Sequence, residues 1–107
     1  MAIKRIWHGW TTPGNADAYQ ALLHREVFPG IEAKGIAGYR GITLLRRDLP
    51  EEVEFVTIMD FDRIEDVIAF QGEDYEHCYV PDAARLLLKR WDERSAHFNL
   101  TEERRAR

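Results

Sequence analysis

The sequence predicts a single α+β domain with the order strand, helix, strand, strand, helix, strand. Its 107 residues suit one domain. Strand-forming residues are concentrated in four runs, and two of the segments between these runs repeat apolar residues at helical spacing. The clearest strand, residues 53–61, carries apolar side chains on both faces. This pattern indicates that both faces of the sheet are covered.

The first half of the chain is predicted to contain one strand and one helix. Residues 3–12 are rich in β-branched and aromatic side chains, which favour a strand. Asn15 is then placed to cap a helix whose apolar positions recur three or four residues apart. We expect Pro29 and Gly30 to end this helix or to bend it sharply.

The second half is predicted to repeat this order after a hairpin. Gly38 opens a strand that turns into the strand over residues 53–61, and a helix follows that ends at Gly72. Pro81 suits the first position of a further helix, which we expect to stop near Arg90. Residues 91–100 alternate well enough to form the last strand.

This order predicts a ferredoxin-like βαββαβ domain over residues 1–100, with a four-stranded antiparallel sheet and helices on one face. Residues 101–107 read as a charged tail. Helices of one chain cover only one face of the sheet, so the other face needs a lid. Pairing with a second copy is the simplest lid, and we therefore expect a homodimer that forms through the sheet.

The composition disfavours several classes of function. A net charge of −4 argues against a nucleic-acid surface. A single cysteine, Cys78, rules out an internal disulfide and gives no metal-ligand spacing, which suits a cytoplasmic protein. No apolar run is long enough to predict a membrane span. The sequence also lacks a Gly-rich phosphate loop, a nucleophile elbow and a zinc motif, so we expect neither a metal nor a cofactor.

The first strand offers a candidate catalytic histidine. His8 alternates with Ile6 and Trp10, so these three residues share one face. If that face meets the helices, His8 points beneath them and can orient or deprotonate a phenolic or acidic substrate. The alternative is a buried histidine bonded to a backbone carbonyl.

Four other residues have both a functional and a structural interpretation. Tyr79 can donate a hydrogen bond to a ligand oxygen and His77 can act as a base, or both can belong to a surface elbow. Arg40 can attract an acidic ligand, or it can be a charge that protects a strand edge. His97 is expected at the dimer seam rather than in a site.

Several runs of the chain together form a family pattern. They are residues 6–11, 38–41, 44–47, 53–57, 70–76, 91–94 and 96–98. This pattern resembles small proteins of the antibiotic-biosynthesis monooxygenase family, over about residues 3–100. The resemblance implies a dimeric α+β barrel. It also implies cofactor-independent oxidation of a small aromatic substrate, such as a phenol, an anthrone or a quinol.

The resemblance also implies roles for particular residues. The expected catalytic residues are His8, Tyr79 and His77, and the expected substrate-binding residues are Trp10, Phe61, Met59 and Arg40. In this arrangement His8 is the base or an orienting group, and Tyr79 and His77 help to hold the oxyanion. Trp10 and Phe61 form apolar walls.

Two alternatives stay open beside the enzyme. Haem-degrading relatives use an asparagine on the first strand, a tryptophan on the third strand and a histidine after the second helix. Here His8 and Met59 stand in the first two places, with His77 or Tyr79 near the third, so haem binding is disfavoured. A dimer that binds a small ligand, or serves in stress, without catalysis is the other alternative.

Overall fold

The strands of this computed structural model, which describes residues 1–106, form one antiparallel sheet in the order β2-β3-β1-β4, with β5 also paired to β1. The predicted α+β, ferredoxin-like fold is confirmed. The strands are β1 (Ile3–Thr11), β2 (Tyr39–Asp48), β3 (Val53–Phe61), β4 (Leu88–Trp91) and β5 (Ala96–Asn99). The helices are α1 (Ala16–Leu22), α2 (Phe28–Glu32), α3 (Ile64–Gln71) and α4 (Asp82–Arg85).

The end of the chain differs from the prediction. The helix expected from Pro81 to Arg90 is only the four-residue α4, and the next residues form β4. β4 and β5 replace the single strand expected over residues 91–100, and they pair with opposite ends of β1. Between β4 and β5 the backbone leaves β1 and pairs with the segment before α4, where the Ser95 N–H donates to the Glu76 carbonyl at 2.7 Å.

The first helical segment also runs further than predicted. A π turn over Leu23–Val27 joins α1 to α2, and the Phe28 N–H reaches the Leu23 carbonyl. The helix therefore does not end at Pro29 and Gly30 but continues to Glu32. Proline has no N–H to donate, and the wider π turn immediately before it rearranges the local hydrogen bonds without ending the helix.

One face of the sheet packs against the helices. Val53, Phe55, Met59 and Phe61 alternate along β3 and are all buried. The Phe55 ring meets the Tyr19 ring of α1 edge to face, with 5.0 Å between the ring centroids. The apolar core therefore lies between this face and the helices.

The other face of the sheet has no covering element within residues 1–106, and we call it the open face. Its side chains are Lys4, Ile6, His8 and Trp10 of β1, Glu54, Val56, Ile58 and Asp60 of β3, Thr43, Leu45 and Arg47 of β2, Arg90 of β4, and Ala96 and Phe98 of β5. Apolar side chains thus occupy its centre, as the two-sided pattern of β3 predicts.

The tail has no helix or strand over residues 101–106, and Arg107 lies outside the described residues. No helix in the part of the chain that the structure describes is both long enough and apolar enough to cross a membrane.

Candidate functional site

A cavity of about 110 Å³ lies between the sheet and the helices. Its apolar lining is Trp7, Tyr19, Leu23, Val27, Phe28, Ile31, Ile42, Met59, Phe70, Val80, Pro81 and Ala84. Its polar lining is Arg5, Thr57, Gln71, Cys78, Tyr79 and Ser95. An apolar cavity of roughly 150 Å³ can hold benzene. This cavity is smaller than that, so its size and lining suit a ligand of at most about one aromatic ring with few polar groups.

Trp7 forms a fixed wall of the cavity. Its ring lies over Gly9, where a Cβ atom would come within 2.6 Å of the indole. The indole Nε1–H donates to the Asp92 carbonyl at 2.7 Å. Glycine at position 9 thus makes room for the ring, and the hydrogen bond sets its orientation.

The main charged group of the cavity is Arg5, which sequence reasoning missed. It lies on the helix-facing side of β1 and is only 5% exposed. One Nη1–H donates to the Tyr75 carbonyl at 2.5 Å, and an Nη2–H donates to the His77 carbonyl at 3.4 Å. Burial lowers the pKa of Arg5. An arginine so far from water is costly unless its charge is well compensated.

Cys78 and Ser95 are neutral neighbours of Arg5 in the cavity wall. The Cys78 Sγ lies 2.9 Å from the Ser95 Oγ. Burial raises the pKa of the Cys78 thiol, so the sulfur stays protonated at neutral pH. Burial likewise raises the pKa of Tyr19, whose hydroxyl therefore stays a neutral donor.

Two of the residues singled out in the sequence do line the cavity. Met59 lies in its wall on β3, and Tyr79 lies at its edge with 77% of its surface exposed. His77 is exposed and does not line the cavity, although its backbone carbonyl accepts a hydrogen bond from Arg5. The structure therefore brings Met59 and Tyr79 together but leaves the His77 ring outside.

The expectation that His8 lies beneath the helices is wrong. His8 and Trp10 are on the open face, where their rings stack with 5.9 Å between centroids. The His8 Nδ1 is 3.0 Å from the Glu54 carboxylate, and His8 and Arg47 hold the pKa of Glu54 below its usual range. The guanidinium of Arg90 lies over the Trp10 ring, with its Cζ 3.8 Å from the ring centroid. Both residues are thus separated from the cavity by the sheet.

Two other expected binding residues also lie outside the cavity. Phe61 is buried in the core, where it packs against Tyr39 and Phe70, and does not reach the cavity surface. Arg40 sits at a bulge in β2, where its Nε and Nη2 bind the Asp62 carboxylate at 2.9 and 2.5 Å. Arg40 is therefore a paired surface charge.

Comparison with solved structures identifies the fold. Rv0793 from Mycobacterium tuberculosis superposes with a TM-score of 0.63 and 18% identity, covering 96% of this chain and 98% of that one. A candidate antibiotic biosynthesis monooxygenase from Bacillus cereus gives a TM-score of 0.64 and 14% identity, with 98% of both chains covered. A candidate from Chloroflexus aurantiacus gives 0.56 and 17%, with 97% of both chains covered.

This chain has the antibiotic-biosynthesis monooxygenase fold. The resemblance read from the sequence is thus confirmed over nearly the whole chain, at the level of the fold. No protein-family model and no curated protein matches the sequence.

In this monooxygenase fold the cavity wall depends on a histidine from the last strand. The Arg5 Nη1 is 2.9 Å from the His97 Nε2, and since arginine only donates, this nitrogen must accept. The proton of the neutral ring is then on Nδ1, which is buried and has no partner within the described residues. Burial and the Arg5 charge lower the pKa of His97. His97 thus positions Arg5, and it lies on the helix-facing side of the sheet rather than on the open face.

The free energy of unfolding of this protein should consequently fall in mild acid. The folded pKa of His97 is below the unfolded value of about 6.5. The unfolded chain therefore takes up this proton at a higher pH than the folded chain, which lowers the free energy of unfolding as the pH falls. Arg5 and Glu76 are the charged groups that act on the ring, and they act in opposite directions. We expect urea midpoints to fall between pH 7.5 and 5.5, and His97→Gln to flatten this decline.

The exposed His24 supplies the control for this measurement. His24→Gln should leave the decline of the wild-type midpoint unchanged. Equal slopes for wild type and His97→Gln would contradict the assignment of the neutral ring. Below this pH range, protonation of three carboxylates also lowers the stability, because their cationic partners lower their pKa values. These residues are Glu52, Glu54 and Asp62.

Among residues 1–106, no group of three or more His, Cys, Asp or Glu side chains is placed to hold a metal ion.

Proposed function

We propose that this chain is a cofactor-independent monooxygenase that oxidises a small, electron-rich aromatic substrate bound in the cavity. The observation that carries the proposal is an apolar cavity of about 110 Å³, with one buried cation in its wall, within the monooxygenase fold. Apolar walls exclude water, and the few polar groups fix the orientation of the ring.

The reaction requires no reductant other than the substrate. A phenol with a free para position loses its O–H proton, and the resulting anion transfers electrons to dioxygen. One oxygen atom becomes the new carbonyl of the quinone, and the other leaves as water with the phenolic proton and the proton from the ring carbon. The substrate supplies all four electrons, so the protein has only to bind the ring, favour its anion and exclude water.

The size of the cavity favours one-ring substrates. A three-ring anthrone is far larger than the benzene-sized space between sheet and helices, and a haem is larger still. His77, which stands near the expected haem-side histidine, does not line the cavity. We therefore expect phenols to be oxidised in preference to anthrones.

The test measures oxygen uptake and quinone formation with phenol, 1-naphthol and anthrone under ¹⁸O₂. We expect the quinone to carry one labelled atom and the rate to fall as the number of rings rises. Ile42→Phe, which puts a ring into the cavity, should lower the rate about 10-fold or more. Ile36→Phe, at a half-buried isoleucine outside the cavity, is the matched control. Equal rates for the two variants would place the reaction elsewhere.

Binding without catalysis is a second candidate function, and one observation favours it. No histidine, aspartate or glutamate side chain lines the cavity within the described residues, so no ordinary base faces the ligand. If the protein shows no oxygen uptake with any phenol but still binds aromatic ligands, ligand binding replaces oxidation as the proposed function.

We also infer that a second copy of the chain covers the open face. Leu45 and Phe98 are 48% and 54% exposed there, beside the half-buried Ile6, Val56 and Ile58. A contiguous apolar sheet face is costly in water, and a two-fold axis would bury both copies at once. This pairing would leave the cavity, on the other side of the sheet, free to bind its ligand.

A further inference from the structure

Arg5 differs from most arginines of this chain in having no acidic partner. Arg40, Arg46, Arg47, Arg63, Arg90 and Arg94 each lie within 4.0 Å of a carboxylate. Arg5 is 5% exposed and lines the cavity, yet no carboxylate within residues 1–106 comes that close to it. Its charge is offset only by two carbonyls, a neutral imidazole and the Phe70 ring 5.7 Å away.

The hydrogen bonds of Arg5 leave part of its guanidinium free. Both Nη1 hydrogens are used, by the Tyr75 carbonyl and the His97 Nε2, and one Nη2 hydrogen reaches the His77 carbonyl. A guanidinium has five N–H groups. The Nε–H and one Nη2–H therefore remain without an acceptor in the part of the chain that the structure describes.

Two other arginines of this chain bind a carboxylate through the Nε–Nη2 edge. The same two nitrogens of Arg40 bind Asp62 at 2.9 and 2.5 Å, and those of Arg47 bind Glu54 at 3.0 and 2.5 Å. The edge presents two parallel donors that match the oxygens of an anion. Arg5 lines a cavity without any acidic side chain in its lining, and its Nε–H has no acceptor within the described residues.

We propose that Arg5 is the anion-binding group of the cavity and that the ligand is a one-ring aromatic anion, either a carboxylate or a phenolate. The inference rests on the proposed function for the location of the site and names the substrate class. It also removes the need for a protein base. A cation beside the phenol oxygen favours the phenolate, so the proton passes to water and the anion that reacts with dioxygen is already bound.

The test is a titration of the whole wild-type protein with benzoate and with benzamide. The two probes have nearly the same shape and differ in charge. We expect benzoate to bind about 10- to 100-fold more tightly, as a charge-assisted pair of hydrogen bonds predicts. Benzoate should also shift the Nε–H NMR signal of one slowly exchanging arginine, which identifies a buried guanidinium without any substitution.

Variants assign the effect to Arg5. Arg5→Gln should abolish the preference for benzoate, and Arg5→Lys should retain only part of it, because lysine keeps the charge but loses the fork. Arg25→Gln, at an exposed arginine of the π turn, should leave the preference unchanged. If Arg5→Gln does not fold, the wild-type titration and the NMR shift still decide the question.

Three results would overturn the inference: equal affinities for the two probes, no binding of benzoate at all, or full benzoate affinity in folded Arg5→Gln. Its failure can be told apart from that of the proposed function. Benzoate binding without oxidation of any phenol would overturn only the monooxygenase activity. Phenol oxidation at equal rates in wild type and Arg5→Gln would overturn only the role of Arg5.

Discussion

Replacing Phe55 with alanine should lower the free energy of unfolding by about 3–5 kcal/mol. Phe55 is 0% exposed and lies at the centre of the core between β3 and the helices. The substitution removes the whole ring and leaves a cavity against Tyr19, which loses its edge-to-face partner. Such a loss is a large fraction of the stability of a domain of this size.

Urea denaturation at neutral pH measures this effect, with an unchanged m-value as evidence that the folded state is the same. Leu86→Ala is the control, because Leu86 is 83% exposed and should change the stability by no more than about 0.5 kcal/mol. A loss below about 1 kcal/mol for Phe55→Ala would mean that the core repacks around the missing ring.

Placing a carboxylate at the centre of the open face should separate the expected dimer. Ile58 lies opposite Ile6 and Thr43 in the sheet, so Ile58→Asp puts one buried charge on each copy of a symmetric interface. Two desolvated like charges should raise the dissociation constant at least about 100-fold. The β-strand should still form, because the side chain points away from the core.

Sedimentation at several concentrations measures this change. The wild type should sediment as a particle of twice the 12.5 kDa chain mass, and Ile58→Asp as a single chain at the same concentration. Ala18→Asp adds the same charge on an exposed position of α1 and should remain dimeric. A wild type that sediments as one chain at all concentrations would show that the open face is not a dimer interface.

The fold could largely be predicted from the sequence because its main strands have strong local patterns. β3 was expected over residues 53–61 and has those bounds. The prediction of a helix from Pro81 to Arg90 is wrong for a physical reason. The leucines of this segment favour a helix locally, yet Leu88 and Arg90 pair with β1. Tertiary pairing there overrides local propensity.

The site could be predicted only in part because strand alternation groups residues by face without saying which face is covered. On β1 the even-numbered residues, which include Ile6 and Trp10, and the odd-numbered residues, which include Ile3 and Trp7, are both apolar enough to meet the helices. The pattern therefore allows His8 to be placed on the covered face, where the structure has Arg5. Nor does the sequence indicate that Arg5 meets His97, since 92 residues separate them along the chain.

The divided last strand has a consequence for how this protein behaves at high concentration. An uninterrupted strand at the border of a sheet offers unpaired backbone groups on which another molecule can grow a fibril. Here that border is made of two four-residue pieces, β4 and β5, and between them the Asp92 N–H and carboxylate bind the backbone of His8. The longer border, β2, carries a bulge at Arg40 and three consecutive charged residues. Both borders are therefore poor templates for aggregation.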